Sequence, residues 1–393
     1  MGIQKDMTQA SSSGAVQLVP LGAVVSAPTP PLADEMNPEA ERWRRETARS
    51  RVRYAGMVGG LKRMSLLLLS VLFVASGLAA AAPQGKIAPQ PLFRDPVHDG
   101  PTDPVLIWNR AEKKWFMMYT SRRANVPNLP GVSWVHGTAI GIAESADGGA
   151  TWQYRGTADI HYGKPDYTFW APDLIDDGKL YHMFLSVVPG IFNDWDAARE
   201  MVHLTSTDLR HWKFESVLPL ASDRVIDASL CRLKNGTWRL WYKNERDNSH
   251  IYYADSRDLY RWTAGGVALS NRGQEGPKAF WWKDKYWMIT DMWKGLAVYS
   301  STDAVTWTAQ ADPILAAPGI QPTDRGLGHH ADVVVSGDRA FIFYFTHQEG
   351  ADANLNDPLW SRRSVIQVGE LHVNNGMLIC DRDQPTWISL APK

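Results

Sequence analysis

The chain has 393 residues, a formal net charge of −1 and 44% hydrophobic residues, ample for a large core. Near-balanced charge offers nothing to a nucleic-acid backbone or an anionic membrane surface, and two cysteines, Cys231 and Cys380, exclude a disulfide framework and a cysteine-built zinc site. The 18 Trp and 13 Tyr point to an aromatic-rich β-architecture, a surface that stacks on sugar rings, or both.

Residues 1–56 are rich in Ser, Ala, Pro and charge without a sustained apolar period, which predicts disorder. Residues 57–82 follow as a basic pair (Lys62, Arg63), an apolar run from Leu66 to Ala75, and small residues Ala79 to Ala82. That is the order of a secretory signal peptide, which makes 1–56 a mis-called extension and Met57 the natural start. The alternative is a membrane anchor, for which the apolar length is borderline. Either way the chain is expected to be exported, to the periplasm or beyond the cell, with no stable membrane span after signal cleavage.

Residues 83–393 carry two interleaved repeats. One is an Asp-box turn: SADGGATW (145–152), STDLRHW (206–212), SRDLYRW (256–262) and STDAVTW (301–307), with Trp residues 60, 50 and 45 positions apart. The Asp bonds its own backbone in a tight turn, and the Trp anchors the outgoing strand. The other is an apolar run, a polar turn and an aromatic run, found at 102–121, 171–187, 227–244, 275–291 and 330–347. This is a β-hairpin signature. Five such inner hairpins, each completed by an outer one, predict an all-β fold: a five-bladed β-propeller with four-stranded antiparallel blades and no accessory β-sandwich.

The first strand of each propeller blade lines the central channel, so residues at the strand heads converge. The heads here are Asp103, Asp173, Asp227, Glu275 and the pair His329-His330. These acids are expected to stand at one phase of the repeat. Convergent carboxylates suit glycoside hydrolysis, in which one acid protonates the leaving oxygen while an ionised one drives attack. Crowding drives their pKa values apart and makes that division workable. A Ca²⁺ ion in the channel would use the same oxygens.

The motifs Asp103-Pro104, Trp170-Ala171-Pro172-Asp173 and Glu275-Gly276-Pro277, in that order, resemble the blade openings of glycoside hydrolase family 43 and its clan. The resemblance covers about 290 residues from Phe93 onward. It implies Asp103 as the general base, Asp173 as the residue that positions the acid and adjusts its pKa, and Glu275 as the general acid. It also implies inversion of configuration, with base and acid about 6.5–9.5 Å apart. Gly328-His329 resembles a glycine-histidine pair that in many relatives helps hold a channel metal, which makes His329 the metal candidate; no cofactor is otherwise required. In blade 1, Asp95-Pro96 is a second Asp-Pro, but Asp103 directly precedes the strand and is preferred. The aromatic run Phe280-Trp281-Trp282 is either a wall that lowers the dielectric around Glu275 or ordinary packing between blades.

Expected sugar contacts are Trp170, Trp134, Asp227, His329, His330 and Arg325, with Arg122 and Arg246 as further basic groups. The loops 121–141 and 189–199 are lid candidates. The partner is an oligosaccharide or polysaccharide, and an exo-acting enzyme releasing an α-L-arabinofuranosyl or β-xylosyl unit fits best. Galactosides and anhydrogalactosides stay open, as does a non-catalytic sugar-binding propeller. A fructan hydrolase lacks its motifs here, and a sialidase lacks an assignable arginine cluster and Tyr nucleophile.

Overall fold

The computed structural model describes residues 85–348 and 356–393. The expected N-terminal extension and signal peptide therefore lie outside the described residues. Within them the regular structure is strand, apart from three short 3₁₀ turns. No helix there is long and apolar enough to cross a membrane.

Five sheets form the five expected blades. Blade 1 comprises Pro101–Asn109, Lys114–Ser121, Ala139–Ser145 and Gln153–Thr157. Blade 2 comprises Thr168–Asp176, Tyr181–Val188, Glu200–Ser206 and His211–Val217, and blade 3 Val225–Arg232, Trp238–Asn244, His250–Ser256 and Trp262–Leu269. Blade 4 is Glu275–Trp282, Lys285–Asp291, Leu296–Ser301 and Thr308–Ala309; blade 5 is His329–Ser336, Arg339–His347, Ser364–Asn374 and Met377–Cys380. Two features add to the expectation. Asp159–His161 pairs in parallel with the outer strand of blade 2, and Lys86–Ile87 pairs with Trp387–Ile388.

The alternation of side chains along each strand explains how the ring is held. In blade 1, Trp115 and Met117 face blade 5, where they meet Val334 and Phe341, while Phe116 and Met118 face blade 2 and meet Leu174 and Met183. The same exchange recurs at the three remaining junctions. Both faces of a blade are thus buried, which is why the inner hairpins read as nearly continuous apolar runs rather than alternating ones. Phe280 and Trp282 belong to the junction with blade 5, and Trp281 packs on Tyr286 at 4.7 Å. The aromatic run is inter-blade packing, and none of its three rings lines the central cavity.

The Asp boxes turn the third strand into the fourth in blades 1 to 4. In blade 3, Ser256 Oγ accepts the Leu259 N–H, the Asp258 carboxylate accepts the N–H groups of Tyr260 and Arg261, and the Trp262 indole donates to Leu259 O. Blade 5 makes the same connection with the short turn at Asn375-Gly376, both at positive φ.

Candidate active site

Every innermost strand breaks its pairing near its start: between Thr102 and Val105, Trp170 and Asp173, Ile226 and Ser229, Glu275 and Lys278, and His329 and Asp332. A bulge of this kind re-aims the side chains around it. Its second residue is left-handed in four blades, with φ of 53° at Asp103, 43° at Ala171, 63° at Asp227 and 52° at Gly276. Aligned on the bulges, the acids do not share one phase. Asp103 and Asp227 hold the second position, Glu275 the first and Asp173 the fourth. That corrects the sequence expectation, and it decides which carboxylates meet.

Asp103, Asp227 and Glu275 line one cavity of about 390 Å³ at the mouth of the channel, with His329 and His330. Asp173 does not line it: its carboxylate is 2% exposed, accepts the Leu230 N–H at 2.6 Å and pairs with Lys278 Nζ at 3.0 Å. Asp95 is also elsewhere, capping the N–H groups of Val97 and His98 and accepting from Ser121 Oγ. Among the expected sugar contacts, Trp170 lines the cavity, held by a bond from its indole to Val135 O and stacked on His136 at 5.1 Å. Trp134, Arg325 and Arg246 are not part of the lining. Trp134 lies under the Arg362 guanidinium, and Arg246 pairs with Asp223.

The environments of the three carboxylates differ. Burial opposes the charge of Asp103, but Arg122 and the His330 imidazole outweigh it and hold its carboxyl well below the usual carboxylate range. Burial pushes Asp227 up to about 6, with the Glu275 and Asp103 charges adding to the rise against His330 and Lys243. Glu275 accepts a bond from Lys243 Nζ at 2.8 Å, and Lys243 also reaches Glu245 at 3.2 Å. His330 is driven up to about 9, because Asp103, Asp227 and Glu275 overcome its burial. Burial and neighbouring charge therefore set two of these carboxylates apart, Asp103 held ionised and Asp227 lifted.

Gly276 explains the Glu-Gly-Pro spelling. Its backbone is left-handed, its N–H donates to Asp227 Oδ2 at 2.9 Å, and a Cβ there would stand 2.6 Å from His330 Cγ. Only glycine lets this turn carry Glu275 while the histidine ring passes against it.

The two lid loops lock onto each other. Val132 N–H donates to Asn193 O at 3.1 Å, and Ser133 Oγ donates to Phe192 O at 3.0 Å. They present Trp195, 48% exposed, at one side of the cavity, and Trp293 stands 47% exposed among its lining residues. Arg199, whose guanidinium lies 5.5 Å from the Trp170 ring, pairs with Glu245 at 2.9 Å.

The sequence reading missed Lys243, Glu245, Asp291, Trp293 and His347. All stand at or just past the end of a blade's second strand. The signal was available: antiparallel pairing brings that end beside the head of the same blade's first strand, as Glu275 opposite Asp291 and His329 opposite Phe345 show. His329 uses Nδ1 on Asp291 Oδ2 at 2.9 Å and stacks on Phe345. Among the described residues no three His, Cys, Asp or Glu side chains gather as a metal-binding group.

No protein-family model matches the chain, and no curated protein matches it. Solved structures do. A thermostable family-43 glycoside hydrolase superposes with a TM-score of 0.57 at 19% identity, over 77% of this chain and 99% of that one. A family-43 β-1,3-galactosidase with galactodeoxynojirimycin gives 0.56 at 12%, over 77% and 99%. A β-xylosidase/α-arabinofuranosidase from a compost microbial metagenome, in complex with xylotriose and in a calcium-free form, gives 0.54 at 14%, over 79% and 99%. This chain has the five-bladed β-propeller fold of the family-43 glycoside hydrolases.

Proposed function

We propose that the chain is a glycoside hydrolase in which Asp103 is the general base, Glu275 the general acid, and Asp227 the residue that positions Glu275 and tunes its proton. The observation that carries this is the convergence of the three carboxylates on one cavity, with Asp103 held ionised by Arg122 and His330 and Asp227 lifted to about 6. The role that the resemblance gave to Asp173 passes to Asp227. Asp227 Oδ2 takes the Gly276 N–H, next in the chain to Glu275, so its charge and its grip act on the same turn. Asp173 lies outside the cavity.

In this reading a water held by Asp103 attacks the anomeric carbon. Glu275 gives its proton to the departing oxygen on the other side, and the product has inverted configuration. Arg199, Trp170 and His330 line the space where the terminal sugar would sit, and Trp195 and Trp293 stand exposed at its edge for the next unit. Lid loops pinned to each other favour a pocket over an open groove, hence release of single terminal units. The favoured substrate is an α-L-arabinofuranoside or β-xyloside of plant or algal origin, and a galactoside is the alternative.

The test is a screen of the purified protein against aryl glycosides of arabinofuranose, xylose, galactose and fucose, beside Glu275→Gln and Asp103→Asn. Hydrolysis of one sugar by the native protein, lost in Asp103→Asn, supports the reading. Binding of a sugar without turnover, unchanged by either substitution, contradicts it.

Export belongs to the same proposal. N-terminal sequencing of the protein recovered from its host is expected to read from near residue 83, past the small residues Ala79 to Ala82. A mature N-terminus at Met1 would refute it.

A further inference from the structure

The fourth position of the bulge register is occupied by Val105, Asp173, Ser229, Lys278 and Asp332 in blades 1 to 5. Two carboxylates and one ammonium thus meet around the propeller axis, away from the cavity lining. Lys278 Nζ lies 3.0 Å from Asp173 Oδ1 and 2.7 Å from Asp332 Oδ1. The remaining oxygens are also used. Asp173 Oδ2 accepts the Leu230 N–H of blade 3 at 2.6 Å, and Asp332 Oδ2 accepts the Leu106 N–H of blade 1 at 2.8 Å. The Val333 N–H donates to Asp332 Oδ1 at 2.8 Å. One charged cluster therefore ties all five blades together, from side chains in blades 2, 4 and 5 and backbone in blades 1 and 3.

We infer that the Lys278 ammonium is the axial cation of this propeller, standing where a channel metal would otherwise balance the carboxylates, so that the chain takes no Ca²⁺ there. The inference holds whether or not the chain is hydrolytic. Calcium takes six to eight oxygen ligands, whereas all four carboxylate oxygens of the cluster already have donors. A fixed ammonium in contact with both carboxylates also repels a dication. At the cavity, the histidine that would help hold a metal, His329, is engaged with Asp291 through Nδ1, and among the described residues no metal-binding group gathers there. Lys278 thus holds the blades together from the strand that begins at Glu275.

The test is made on the whole purified protein after treatment with EDTA. Calorimetric titration with Ca²⁺ is expected to show no site tighter than roughly 1 mM, the weak end of extracellular calcium modules, and Tm is expected to be the same in EDTA and in Ca²⁺. Saturable binding tighter than that, or a Tm lowered by EDTA, would overturn the inference. Lys278→Met leaves two buried carboxylates facing each other and is expected to lower Tm by roughly 10 °C or prevent folding. An unchanged Tm in that variant would overturn it equally, and the native protein decides the metal question even if the variant does not fold.

Discussion

Glu275→Gln is expected to lower kcat/KM by roughly a hundred- to ten-thousand-fold on substrates with poor leaving groups, the range spanned by general acid–base catalysis. The loss should shrink sharply on aryl glycosides with activated leaving groups, because these depart without a proton. The amide keeps the length of the side chain, and its carbonyl can still accept from Lys243 Nζ, now 2.8 Å from Glu275 Oε2. The pocket should therefore hold its shape and KM should change little. An equal loss on both classes of substrate would mean that Glu275 does something other than donate a proton.

Asp103→Asn is expected to be more severe, since no leaving group compensates for an unactivated water. Loss of roughly a thousand-fold or more on all substrates is the predicted result. Asp95→Asn is the control. Asp95 is as buried as Asp103 and follows the same Asp-Pro spelling, yet it caps a loop and does not reach the cavity. Its substitution should cost stability through the weakened cap and leave the pH profile and leaving-group dependence of the reaction as they were. Inactive, well-folded Asp95→Asn beside an active Asp103→Asn would reverse the assignment.

Much of this fold could be read from the sequence because its signals are local. The Asp-box turns, the inner hairpins and their spacing each depend on a few neighbouring residues, and they gave the blades and the strands of each blade. The Asp103-Pro104 and Glu275-Gly276 openings likewise placed two of the three cavity carboxylates. Asp173 was misjudged because Trp-Ala-Pro-Asp puts its acid two residues later in the bulge than Asp103 or Asp227. A bulge reverses which way neighbouring side chains point, and no linear spelling marks its register. The aromatic run after Glu275 was ambiguous for a related reason, since both faces of a blade are buried and an aromatic serves either. Lys243, Asp291 and His347 carry no motif of their own; they reach the rim because antiparallel hairpins bring strand ends beside strand starts. Lys278 reads as an ordinary turn lysine until Asp173 and Asp332, from distant blades, are seen against it.

Asp227, rather than Asp173, acts with Glu275 in the proposed mechanism, and the pH dependence of kcat/KM separates the two. Asp227, raised to about 6, loses its proton above that pH, so activity should fall as pH rises above about 6. Asp103, held well below the usual carboxylate range, stays ionised throughout and adds no acid limb near neutrality. Profiles of the native protein, Asp227→Asn and Asp173→Asn should be recorded with Tm for each. Asp227→Asn removes the group that titrates there, so the alkaline limb near pH 6 should be displaced or lost, with a large fall in rate. Asp173→Asn should lower Tm and leave the limb in place. A limb that moves in Asp173→Asn and stays fixed in Asp227→Asn would contradict the account.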